Sequence, residues 1–225
     1  TTYVPDDNFE QALIDLDYDD ELDDYVLTAN ISGVTSLDVN GKEISDLTGI
    51  EDFTALTDLQ CNDNQLTTLD VSSNTALTTL NCSNNQLTSL DVSANTDLGN
   101  LHAHDNSLTS LDLTNNAELH SLYIAVNNLT SLDLSNNTAL QNFSCYNNQL
   151  TSLDVSNNIA LTYFQPHGNL LTSIDLSSNT ALTRMNISNN QLTYLNMKNG
   201  LTDQIDEFNA TSNSLTCIEV LDPSW

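Results

Sequence analysis

Three of the chain's four histidines, three of its seven tyrosines and its only arginine stand at matching places along the sequence. They are His102, His104, Tyr123, Tyr146, Tyr163, His167 and Arg184. Tyrosine and arginine are typical anchors of recognition surfaces. Rings with amide and imidazole neighbours also suit sugars, through stacking and hydrogen bonds. His102-Ala103-His104 would project two imidazoles from one strand, as a metal pair does, but no third ligand stands at a matching place. A second constellation is a carboxylate every 21 residues, at Asp70, Asp91, Asp112, Asp133, Asp154 and Asp175. It is flanked by the hydroxyls of Thr68 and Ser72, Ser89 and Ser93, and their successors. Carboxylates one rung apart repel by about 1 kcal/mol per pair in water-like dielectric. Either hydroxyls donating to them offset that repulsion, or the column is a cation ladder, with calcium as its ion.

The elements that must position these groups are repeats. Leu56–Asn74 reads LTDLQCNDNQLTTLDVSSN, and Leu77–Asn95 reads LTTLNCSNNQLTSLDVSAN. The phrase returns at Leu98, Leu119, Leu140, Leu161 and Leu182, a period of 21 residues. Such a period means a solenoid whose repeats bury their apolar edges against one another. Each repeat is itself double: ten residues reading L-x-x-L-x-C-x-x-N-x, then eleven reading L-x-x-L-D-V-S-x-N-x-x. This pattern resembles the leucine-rich repeat family, and the nested 10+11 form resembles its bacterial IRREKO-type class. The resemblance covers about residues 34–218 and departs at 199–204 and at Leu195-Asn196-Met197. It implies a curved horseshoe with a parallel sheet on its concave side, and a recognition role with protein partners first.

Alternation along a strand points the L-x-L pairs into the core. The Asn at the ninth place of each first half, from Asn64 to Asn190, offers donors and an acceptor to backbone groups where the chain turns inward. Cys61, Cys82 and Cys145 share the sixth place with Ala103, Ile124, Pro166 and Ile187, which marks an apolar column. Cys145 is three rungs from Cys82, roughly 14 Å at about 4.8 Å per rung, too far for a disulfide. The first-half third, fifth and seventh places vary, and the seven recognition residues lie there, on five adjacent rungs spanning roughly 20 Å.

Residues 1–33 read as a separate N-terminal helical cap. Pro5-Asp6-Asp7 starts a helix over 8–16, with Phe9, Ala12, Leu13 and Leu16 at helical spacing. Leu22, Tyr25 and Val26 form a second apolar edge expected to help cover the first rung. Asp15, Asp17, Asp19 and Asp20 look like the start of a calcium loop, but Asp20 and Val26 stand where an EF-hand needs Gly and Glu. Residues 34–218 are the solenoid, regular over 56–199, and 219–225 read as a truncated C-terminal segment. The whole is expected to be a mainly β, right-handed solenoid of seven regular turns with one helix.

The net charge of −28, with 31 acidic residues against three basic, argues against nucleic acid and anionic membranes. No apolar run approaches the roughly 20 residues of a membrane helix, so membrane insertion is not expected. The chain begins in a polar segment with no signal peptide and reads as a mature or trimmed form. No G-x-S-x-G, H-E-x-x-H or phosphate-binding glycine loop occurs, so no catalytic residue and no enzyme activity are expected. The reading is a monomeric, secreted or cell-surface recognition module without an obligatory cofactor, binding a protein or polysaccharide. The alternative is an acidic structural or adhesive spacer without a single site.

Overall fold

The computed structural model describes residues 1–200 and 204–221. Two short strands, β1 (Thr2–Tyr3) and β2 (Tyr25–Val26), pair antiparallel and hold α1 (Asp7–Asp15) between them; α2 (Thr28–Ile31) follows. The Asp6 carboxylate caps α1, accepting from the backbone N–H groups of Asn8 and Phe9 at 3.0 Å. Its other oxygen accepts from Ser45 and Asp46, tying the cap to the first turn.

The solenoid then runs through β3 (Ser36–Asp38), β4 (Asp58–Gln60), β5 (Thr79–Asn81), β6 (Asn100–His102), β7 (Ser121–Tyr123), β8 (Asn142–Ser144) and β9 (Tyr163–Gln165). It continues with β10 (Ser173–Asp175), β11 (Arg184–Asn186), β12 (Tyr194–Met197), β13 (Glu207–Asn209) and β14 (Cys217–Val220). Strands β3 to β9, β11 and β13 form one nine-stranded parallel sheet in sequential order. The first-half repeats supply it, so the solenoid has about nine turns. In each of these strands the middle residue points into the core: Leu59, Leu80, Leu101, Leu122, Phe143, Phe164 and Met185 are fully buried. Their neighbours face out, as the two-residue period of a strand requires.

Two asparagine columns satisfy the backbone at the turns. At the ninth place, Asn127 Nδ2 donates to the carbonyls of Ala103 at 2.9 Å and Ile124 at 3.2 Å, while its oxygen accepts from Leu108 N. Residues at the eighth place adopt the left-handed conformation that swings this Asn inward, from Asp63 at φ 56° through Gly168 at φ 67° to Asn189 at φ 52°. The second column, Asn74 to Asn179, stands at the ninth place of the second half and is at most 1% exposed. Asn116 Nδ2 reaches the carbonyls of Val92 and Asn95, both one turn back, at 3.0 and 2.9 Å. Cys61, Cys82 and Cys145 are buried free thiols, and burial pushes that of Cys82 up to about 12.

Several expectations change. The cap holds two helices among the described residues, α1 starting at Asp7. Leu16 lies just past the C-terminus of α1 and is 39% exposed. Only Val26 of the expected second edge is buried; Leu22 and Tyr25 are about half exposed, because β2 alternates and one buried residue covers the rung. The second half-repeats form a sheet only at the C-terminal end, in the order β10-β12-β14, with one isolated bridge between Asp70 and Asp91. Within the departure at 199–204, residues 201–203 lie outside the described residues, as do residues 222–225 of the C-terminal segment. Strand β14 reaches Val220.

Candidate functional site

Of the seven predicted recognition residues, His102, Tyr123, Tyr163 and Arg184 lie in strands of the nine-stranded sheet, and His104, Tyr146 and His167 stand two residues beyond the ends of β6, β8 and β9. Arg184 is exposed and the other six are half-buried. Register explains their neighbourhood. His102 pairs with Tyr123, and Tyr163 lies opposite Asn142 on one side and Arg184 on the other. Because consecutive rungs are in register, residues 21 apart meet side by side.

Two ring pairs result. His102 and Tyr123 lie with centroids 4.7 Å apart and planes tilted by 39°. Tyr146 and His167 stack at 4.5 Å and 13°. Both spacings are within the range of favourable aromatic pairs. Polar groups of the same variable column that the sequence did not mark out are buried beside these rings in register: Ser144 is 3% exposed and Gln165 is 6% exposed. The only available signal was their membership of the same variable column. Glu207 was also missed. It stands beside Arg184 in register, 23 positions on, because the turn between them is longer by two residues.

The electrostatics follow from this sheltering. Burial lowers the pKa of His102, and His104 adds to the effect; burial alone lowers that of His167. The Nδ1 atom of His167 is buried without a hydrogen-bond partner. Burial raises the pKa of the Tyr163 phenol, helped by Tyr123, Glu207 and Tyr146 and opposed by Arg184. The Asp105 carboxylate lies 2.9 Å from His104 Nδ1. Among the described residues no group of three or more His, Cys, Asp or Glu is placed to hold a metal ion.

Toward the N-terminus the same face becomes an amide network. Asn81 Nδ2 donates to Gln60 Oε1 and Asn62 Oδ1, both at 3.0 Å, and Asn81 Oδ1 accepts from Ser83 Oγ at 2.7 Å. The face can therefore offer aromatic planes at its centre and fixed amide donors and acceptors beside them.

The Asp70 to Asp175 column has another environment. Each carboxylate accepts from the backbone N–H two residues on, at 2.9 Å from Ser72, Ser93, Thr114, Ser135, Ser156 and Ser177. The hydroxyls of the same residues also donate, and together these bonds hold the pKa values low. The hydroxyl is the larger cause at Asp70, Asp91, Asp112 and Asp175, the amide at Asp133 and Asp154. These are turns closed by Asp side chains onto their own backbone.

No family model matches the chain. Internalin J of Listeria monocytogenes is 39% identical over 72 residues, which are 32% of this chain and 8% of that protein. The chain thus matches a small part of that relative's length. Among solved structures, an internalin C2 of Listeria monocytogenes aligns over 97% of this chain and 94% of its own, with a TM-score of 0.77 at 23% identity. A leucine-rich repeat protein of Leptospira interrogans aligns over 85% of this chain and 52% of its own, with a TM-score of 0.77 at 22% identity. The fold is that of the leucine-rich repeat proteins, a parallel β-solenoid.

Proposed function

We propose that the chain is a non-enzymatic recognition module of a secreted or cell-surface bacterial protein, and that its ligand lies on the nine-stranded face. The observation that carries this reading is the pair of ring contacts, His102 with Tyr123 and Tyr146 with His167. Folding asks nothing of these outward places, yet the chain's rare side chains meet there. His102, His104, Tyr123, Tyr146, Tyr163, His167 and Arg184 would contact the ligand, a protein loop or a polysaccharide. The internalin likeness favours a protein and a bacterial surface setting. In this reading the nested 10+11 repeat is of the IRREKO type, and the module works as a monomer without a cofactor. No helix among the described residues is long and apolar enough to cross a membrane.

A second reading has its own support. The Asp column is uniform and bonded to its own backbone, as suits an acidic spacer without a single site. Protein and glycan arrays probed with the wild type and with a Tyr123→Ser/Tyr146→Ser/Tyr163→Ser variant separate the two. Loss of a retained ligand in the variant supports the face. Retention by the variant, with loss on replacing Ser89, Ser110 and Ser131 by Ala, moves the site to the Asp column. No ligand for the wild type favours the spacer.

A further inference from the structure

Nine large apolar side chains are exposed among the described residues, and five of them, Tyr3, Leu16, Leu22, Tyr25 and Leu27, fall within the first 27 positions. The cap therefore turns apolar surface outward at the end of the solenoid, away from the rung it covers. Tyr25 and Leu27 flank the buried Val26 and point to the opposite side from it. Tyr3 lies opposite Tyr25 in register, with ring centroids 5.4 Å apart. Beside Leu27 is an open hollow of about 220 Å³, lined by Asp17, Asp19 and Asp20 together with Tyr18 and Asn30. One oxygen of Asp19 is shut off from solvent without a hydrogen-bond partner.

The surface is held rigidly. The buried Glu10 accepts from the backbone N–H groups of Asp23 at 3.0 Å and Tyr25 at 2.9 Å, and Val4 N donates to Asp24 O at 2.9 Å. A rigid surface loses little entropy on binding. We propose that this outer face of the cap docks a basic, arginine-bearing peptide segment of a partner protein. Charge complementarity selects that occupant. A guanidinium or ammonium head fits the carboxylate-walled hollow while its methylene stem lies on Leu27. A second cation packs on the Tyr3 and Tyr25 rings. An anionic membrane or an acidic peptide would be repelled. The proposal is independent of the ligand on the nine-stranded face.

The test titrates the whole chain with a synthetic octapeptide of alternating Arg and Leu, against its Glu-for-Arg counterpart, following backbone amide shifts and affinity at low salt. Shifts confined to residues 2–4 and 17–27 are expected, for the Arg peptide only. Tyr3→Ser/Tyr25→Ser and Asp17→Asn/Asp20→Asn should each weaken binding by about tenfold. Asn tolerates the left-handed backbone of Asp17, so the second pair keeps the test decisive if the first misfolds. Shifts spread along the Asp column, equal affinity in folded variants, or binding of the Glu peptide would overturn the proposal. So would concentration-dependent self-association that Tyr3→Ser/Tyr25→Ser abolishes, which gives the face to a second copy of the chain.

Discussion

The imidazole of His167 lies flat on the phenol ring of Tyr146, one rung away, with centroids 4.5 Å apart. The two residues are 21 positions apart in sequence, so the repeat period itself makes the stack. Burial lowers the His167 pKa, as it does that of His102. The unfolded chain then binds more protons below the ordinary histidine pKa of about 6.5. This contribution to stability is complete above that pH and is lost as pH falls through the folded values. A melting-temperature profile of the wild type should begin to fall below about pH 6.5. His102→Phe/His167→Phe should flatten that part of the profile, and an unchanged slope would show that the rings are not sheltered.

At lower pH the Asp column takes over. Its carboxylates have pKa values held below the ordinary 3.8 by hydroxyl and amide donors. Their contribution is present above that value and lost as pH falls through the lowered ones. Replacing Ser72, Ser93 and Thr114 by Ala and Val at the hydroxyl positions should raise the carboxylate pKa values, read by carbonyl chemical shifts. If the column also binds calcium, millimolar calcium should raise the melting temperature more than magnesium or matched sodium. Equal shifts reduce the effect to screening.

Val126 occupies the left-handed conformation at φ 53°, at the place where the other turns have Asp, Asn, Gly or, in the last, Ser212. A β-branched residue is strained there. Val126→Asn should add about 1 kcal/mol, raising the melting temperature by roughly 2 to 4 °C. Gly168→Ala should do the reverse, since φ is +67° and an added Cβ would fall on the Asn147 side-chain oxygen. Paired thermal melts of the two variants check both signs.

Asn115 and Asn116 are adjacent and should differ sharply. Asn116 is fully buried and serves two carbonyls of earlier turns, so Asn116→Ala should cost about 2 to 4 kcal/mol. Asn115 is exposed and serves one, Ser93 O at 3.1 Å, so Asn115→Ala should cost less than about 1 kcal/mol. Urea unfolding of the two variants measures the difference.

The sequence alone determined the solenoid, its register and the inward asparagines. A strict period places residue i beside residue i+21, and the apolar and amide places at each turn admit one inward set. The same count put the seven residues proposed for recognition at the outward places in and just beyond the strands of one sheet. The second asparagine column was equally visible in the spacing from Asn74 to Asn179 and needed only the same argument. Tertiary structure decided what a period does not encode. Ring orientation chose which neighbours stack, so that His102 meets Tyr123 while His104 turns to Asp105. Most second halves lack a ladder of strands, although Asp175 closes the same turn as Asp91 and still belongs to the paired strand β10. In the cap, with no repeat to copy, apolarity of Leu22 and Tyr25 did not reveal direction. That was set by the pairing of β2 with β1 and by the Glu10 carboxylate beneath it.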